Sequence, residues 1–131
     1  MIHPILTDAA PIPSGHYTQA IAYGDLIFVA GQLPLDAKKG VVPRGSIEEQ
    51  TERVLDNVQA ILAQAGSDLN HVLKATVYIS DIELWGRVNQ VYARRFGAHK
   101  PARAVVPVGP LHYGYQIEIE VIAVRRAEAS A

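Results

Sequence analysis

From Gln116 to Arg126 the chain reads Q-I-E-I-E-V-I-A-V-R-R, and no other segment restricts the fold as much. Side chains alternate across a strand, so Ile117, Ile119, Val121 and Ala123 fall on one face. The opposite face carries Glu118 and Glu120 beside Ile122 and Val124. The first face demands an apolar cover. The second puts two carboxylates on a surface that otherwise reads as buried, and desolvating an unpaired charge is costly. The best nearby partner in sequence is Arg103 of Pro101-Ala102-Arg103, at the head of the preceding apolar run. An arginine opposite a carboxylate in a partly buried place suits a small acid and a water, so this strand predicts a site for chemistry as well as a core.

The remaining 120-odd residues must supply the cover. With 131 residues the chain is long enough for one domain with a substantial core (1–131) and too short for two comfortable ones. Hydrophobic residues make up 49%, which marks a globular chain. Lys and Arg total 12 against 13 Asp and Glu, a balance that argues against a nucleic-acid partner held by a basic surface. Cysteine is absent, which excludes disulfides, thiolate metal sites and a cysteine nucleophile. Met1 to Ala10 lacks the basic start and long apolar run of a signal peptide, and no apolar run approaches the ~20 residues of a membrane span. The expectation is a cytoplasmic protein without a membrane partner.

Periodicity supplies the elements. Met1–Ser14, rich in Pro and small residues, reads as a lead-in arm. Tyr17–Tyr23 and Leu26–Ala30 read as strands joined by Gly24-Asp25, a two-residue hairpin signal, and Pro34–Gly45 as a loop. Ser46–Ala65 is the clearest helix. Ser46 and Glu49 form a capping-box pattern, Ile47, Val54, Leu55, Val58, Ile61, Leu62 and Ala65 make one apolar stripe, and Gly66 suits the stop. Val72–Ile79 is a strand. Asp81 caps a second helix running to Phe96, with Leu84, Val88, Val91, Tyr92 and Phe96 inside and Gly97 at its end. Ala104–Val108 is a strand that Pro107 assigns to an edge or a bulge, Gly109–Tyr115 a loop, and Gln116–Arg125 the last strand. The order β-β-α-β-α-β-β predicts an α+β two-layer sandwich. Helices cover one sheet face. The other face, expected to hold Val105, Glu118, Glu120 and Ile122 or their opposites, is left without a lid, which predicts self-association and a pocket between subunits.

Several residues are candidates for chemistry. Arg103 and Glu118 read either as a carboxylate clamp beside a water-positioning acid or as an ion pair that satisfies two charges. One of Glu118 and Glu120 has a purely structural reading, pairing with Arg125, Arg87 or a neighbouring subunit. Gly31 after a strand either lets a ligand approach the backbone or ends the strand. Tyr17 and Tyr92 line a pocket or belong to the core. Asn89, a poor helix former in mid-helix, points inward to a ligand or makes a structural hydrogen bond. The five histidines show no metal-ligand spacing, so no metal is expected.

In order along the chain, G-H-Y-T-Q-A-I (Gly15 to Ile21), F-V-A-G-Q-L-P (Phe28 to Pro34), Q-T-E-R-V-L-D-N-V (Gln50 to Val58), A-G-S-D-L-N-H-V-L-K-A-T-V-Y (Ala65 to Tyr78), V-N-Q-V-Y (Val88 to Tyr92), K-P-A-R (Lys100 to Arg103) and I-E-I-E-V-I-A (Ile117 to Ala123) resemble the RidA family, also called YjgF/YER057c/UK114. The resemblance runs from about Ala10 to Arg126. It implies a chorismate-mutase-like homotrimer with three inter-subunit clefts, and cofactor-free hydrolysis of reactive imines and enamines to 2-keto acids and ammonia. The substrates it implies are 2-aminoacrylate with its tautomer 2-iminopropanoate, and the 2-iminobutanoate type. By the same resemblance Arg103 grips the substrate carboxylate, Glu118 positions the attacking water, Gly31 is a backbone donor, and Tyr17 and Asn89 line the cleft.

Three positions depart from the archetype. Ala30 stands where many members have serine, Val105 where many have cysteine, and His16 where many have proline. The cleft expected around Val105 and Ala30 is more apolar, so the side chain accommodated is expected to exceed a methyl or ethyl group. Alternative readings are a deaminase for a specialised pathway enamine of the aminomuconate type, and a non-catalytic binder of small acids. Ribonuclease activity, also attached to this family, is the reading that the near-neutral charge favours least.

Overall fold

The computed structural model describes residues 1–127, so the end of the expected 1–131 domain, residues 128–131, lies outside the described residues. The described chain runs β1 (Ile2–Ile5), β2 (Ala20–Tyr23), β3 (Leu26–Gln32), α1 (Ile47–Gln64), β4 (Val72–Ile79), α2 (Trp85–Phe96), β5 (Ala102–Pro107) and β6 (Ile117–Val124). One sheet of strand order β1-β2-β3-β6-β4-β5 carries both helices. It is antiparallel except for β4 and β5, which are parallel and joined through α2. The result is the expected α+β architecture with one strand added at the N-terminus.

That strand corrects the expected lead-in arm. Ile2–Ile5 pairs antiparallel with β2, and Pro4 is tolerated because β1 is the sheet's edge. A second correction follows from Gln19. Its buried amide accepts from the Thr7 N–H at 2.7 Å and donates to the Thr7 and Pro11 carbonyls at 3.0 and 2.9 Å. This tie bends the chain, so β2 starts at Ala20 and Tyr17 stands outside it. The hairpin turn is where the sequence places it: Tyr23 faces Leu26, and Gly24 takes φ 60°.

The capping box closes as its pattern requires. The Ser46 hydroxyl accepts from the Glu49 N–H at 3.1 Å, and the Glu49 carboxylate accepts from the Ser46 N–H at 2.9 Å. The α1 stripe is buried throughout and packs on β3 and β6, with α2 alongside. Asp81 caps a short 3-10 turn, Ile82–Leu84, rather than the helix itself, and α2 begins at Trp85. Arg87 clasps Glu48 across the two helices with bonds of 2.8 and 2.7 Å, which holds the Glu48 carboxyl down at about 2.

The alternation of β6 survives intact. Ile117, Ile119, Val121 and Ala123 are buried under the helices, and Glu118, Glu120, Ile122 and Val124 are half-buried on the other side. On that open face Phe28 is 42% exposed and Tyr23 and Leu26 also stand free. Among the described residues, no helix is long and apolar enough to cross a membrane, and no group of three or more His, Asp or Glu side chains is arranged to hold a metal ion.

Candidate active site

Apart from Val105, the expected ligand-binding residues fall into two separate cavities of one chain. The first, about 490 Å3, brings together Tyr17, Ala30, Gly31 and Glu118. The second, about 370 Å3, brings together Asn89, Tyr92 and Arg103. Val105 and His16 line neither.

Register explains the separation. Arg103 is aligned with Ala75 and Val105 with Val77, and both β4 residues are buried on the helix side. Arg103 and Val105 therefore belong to the helix side of the sheet, and Val105 packs against the core. This corrects the expectation that Val105 shares a face with Glu118. It also corrects the ion-pair reading. Arg103 and Glu118 lie on opposite faces with β4 between their strands, so a guanidinium cannot reach the carboxylate within one subunit.

Glu118 owes its position to β3. The ladder between β3 and β6 shifts register between Val29 and Gln32, a bulge that tips Ala30 and Gly31 toward the cavity. The strand continues through Gly31, so the glycine is not there to end it. A Cβ on Gly31 would lie 2.7 Å from Glu118 Oε2 and 3.1 Å from its Cδ, so a larger residue here would push the end of the Glu118 side chain aside. Burial, and then the neighbouring charge of Glu120, push the Glu118 carboxyl above the ordinary carboxylate range, while His112 draws it back in part. Glu120 has a different partner from those expected. It accepts a short hydrogen bond from the Tyr78 hydroxyl, while Arg87 binds Glu48 and Arg125 binds the Ala65 carbonyl. Glu120 is thus committed to the sheet and Glu118 is offered to the cavity.

Arg103 is exposed yet held. Its guanidinium carbon lies 4.6 Å from the centre of the Trp85 ring and 5.1 Å from that of Tyr92, and Nη1 donates to Asn89 Oδ1 at 3.1 Å. Asn89 is spoken for by this bond, and Tyr92 is a core aromatic whose face also bears the cation. Together they fix the plane of the guanidinium at the edge of β5, leaving donors free for an incoming anion.

Sequence reasoning missed the residues that shape the first cavity from behind and above. Asn57, 4% exposed on α1, donates to the Leu33 and Leu35 carbonyls at 3.0 and 2.9 Å, and Arg53 donates to the Pro34 carbonyl at 2.9 Å. These bonds pin the loop after Gly31 against the helix. An asparagine inside the apolar stripe of α1 was the available signal. His112, Tyr113 and Ile12 also line this cavity, from segments that read only as loop and arm.

The sequence profile of the Endoribonuclease L-PSP family matches residues 7–125. A RutC family protein of Pyrococcus abyssi is 49% identical over 119 residues, covering 91% of this chain and 94% of that protein. Among solved structures, a Thermotoga maritima protein named as an endoribonuclease is 46% identical with a TM-score of 0.91, covering 95% of this chain and 98% of that one. Escherichia coli TdcF with bound serine is 35% identical with a TM-score of 0.89, covering 95% and 99%. The chain therefore belongs to the Endoribonuclease L-PSP family, the RidA/YjgF family that its ordered motifs resemble.

Proposed function

We propose that this protein hydrolyses reactive 2-imino acids and their enamine tautomers to 2-keto acids and ammonia, in clefts where a homotrimer joins the Glu118 cavity of one subunit to the Arg103 shelf of the next. The observation that carries the reading is Glu118, a half-buried carboxylate lining an open cavity beside Gly31, whose lack of a Cβ lets Oε2 come within 2.7 Å of where that Cβ would stand. A carboxyl whose pKa is raised by burial is a stronger base toward water than a solvated one. The trimer is supported by the apolar open face of the sheet around Phe28 and Ile122.

In this scheme Arg103 takes the substrate carboxylate by two parallel N–H bonds, preset by Asn89, Trp85 and Tyr92. The Gly31 backbone donates to the substrate from the other wall, and Tyr17 packs over it. Glu118 accepts a proton from water as the water oxygen bonds to C2 and the C=N bond becomes single. The proton passes from Glu118 to the amino nitrogen, the C–N bond breaks as the C2 hydroxyl gives its proton back to Glu118 and becomes a carbonyl, and ammonia leaves, taking up that proton as ammonium. Free imines already hydrolyse in water, so orientation and one positioned base suffice. The serine bound to TdcF supports a ligand of this size and charge. Neither a cofactor nor a metal enters the scheme.

The test is an imine-hydrolysis assay. An amino-acid oxidase generates imines from alanine, 2-aminobutyrate, leucine and methionine, and semicarbazide traps what remains. The expected result is reduced trapping and faster ammonia release with wild type, lost in Arg103→Ala. Release at the spontaneous rate on every imine would instead favour a binder of small acids. The family's name speaks for RNA cleavage, yet a net charge of −1 and a carboxylate in the cavity are a poor match for a phosphate backbone.

A further inference from the structure

The first cavity is much larger than a one- or two-carbon side chain requires. At about 490 Å3 it lies within the ~300–1,000 Å3 that holds drug-sized ligands. Its rim is apolar in an unusual way. Ile12 is 64% exposed, Tyr17 54% and Tyr113 55%, and all three border the same opening as Glu118. Large apolar side chains grouped in the open around one carboxylate mark a surface built to be covered.

Tyr113 is the most telling of the three. Its φ is 64°, and no other non-glycine among the described residues has a positive φ. A left-handed tyrosine is strained, and such strain persists where surrounding structure enforces it. The ring is not buried, so core packing does not offset the strain. It is nevertheless fixed. It stands edge-on to Tyr115 at 6.3 Å and against His112 at 5.8 Å. Tyr115 itself is buried, its hydroxyl donating to the Val42 carbonyl at 2.8 Å and accepting from the Val42 N–H at 3.0 Å. The left-handed backbone and these ring contacts orient Tyr113 in the lining of the cavity that also holds Gly31 and Glu118.

We infer that Tyr113, with Ile12 and Tyr17, forms a side-chain subsite that selects 2-imino acids with bulky apolar or aromatic side chains over the alanine-derived imine. The inference rests on the deaminase reading for its reaction and on the cavity wall for its selectivity. With the substrate carboxylate on Arg103 and C2 beside Glu118, the side chain extends along the rim and stacks on Tyr113.

The experiment compares wild type, Tyr113→Gly and Tyr113→Phe on imines from phenylalanine, leucine and alanine, with phenylpyruvate and pyruvate as inert ligands. Glycine accepts the left-handed backbone, so Tyr113→Gly removes the ring without straining the chain. Wild type is expected to favour the phenylalanine or leucine imine over the alanine imine in kcat/KM by about tenfold or more. Tyr113→Gly is expected to erase most of that ratio by lowering kcat/KM for the phenylalanine and leucine imines, and Tyr113→Phe to keep it. Equal turnover of all imines by wild type, or a Tyr113→Gly variant that loses every substrate alike or falls apart as a trimer, would overturn the subsite and leave the deaminase standing. No turnover of any imine, with phenylpyruvate bound more tightly than pyruvate only while Tyr113 is present, would overturn the deaminase and keep the subsite.

Discussion

The two faces of β6 are built from alternate residues of one eight-residue strand, yet they obey different rules. On the helix side Ile117, Ile119, Val121 and Ala123 are sealed against α1. On the open side Glu118 and Glu120 interrupt the apolar surface, and only Glu120 has a committed partner, Tyr78. One face closes the subunit. The other leaves a carboxyl that is costly to ionise and, on our reading, is repaid by catalysis and by contact with another copy. Because strand parity separates the two, a change on one face should leave the other's property largely intact.

The sharpest way to break that contrast is to remove the two proposed catalytic groups. Glu118→Gln is expected to lower kcat/KM about 10²- to 10⁴-fold, and Arg103→Ala by about 10²-fold or more, with circular dichroism unchanged. The stability of Glu118→Gln has a definite sign. The folded Glu118 carboxyl lies above its unfolded value, so its stabilising contribution is complete below the unfolded pKa and is lost as pH rises through the folded one. The melting temperature of Glu118→Gln relative to wild type should therefore rise with pH from the acid side toward neutrality. A relative melting temperature that falls over that range would contradict the assignment.

Next in size is the core face. Ile119→Ala should cost about 2–5 kcal/mol in denaturant unfolding, whereas Phe28→Asp on the open face should leave the secondary structure unchanged and shift gel filtration from the proposed trimer toward monomer. If Phe28→Asp elutes unchanged, the open face is not the assembly surface. Gly31→Ala tests the contact between β3 and Glu118. The methyl would meet Oε2 at 2.7 Å, a contact the carboxylate relieves by turning aside at a cost of about 1 kcal/mol, and the penalty should shrink in a Glu118→Ala background. Equal penalties in both backgrounds would exclude that contact. The smallest effect belongs to the exposed helix pair. Arg87→Met should lower the melting temperature only slightly near neutrality. Because Arg87 depresses Glu48 to about 2, the difference should vanish as pH falls toward that value.

Much of the fold was legible because its signals are local. The Ser46–Glu49 box, the α1 stripe, the Gly24 turn and the β6 alternation each depend on residues near one another in sequence. The edge strand β1 was missed because its pairing with β2 is long-range and its Pro4 reads as loop. The candidate site was legible residue by residue and not in its arrangement. Arg103 and Glu118 stand out as charges in apolar runs, but which face Arg103 takes depends on the parallel register with β4, which no local pattern encodes. The same holds for Val105. The supporting Asn57 and the strained Tyr113 act through tertiary contacts, to the loop after Gly31 and to the Tyr115–Val42 clasp.

The central claim is that two half-sites on opposite faces of one sheet are completed by a neighbouring copy. The most direct measurement mixes Arg103→Ala and Glu118→Gln subunits, unfolds and refolds them together, and confirms mixed trimers by native mass spectrometry before assaying imine hydrolysis. Each variant alone should be inactive. Random mixing of equal amounts places an intact Glu118 beside an intact Arg103 at about one interface in four, so roughly a quarter of wild-type activity should return. Mixed trimers that remain as inactive as their parents would contradict the shared site.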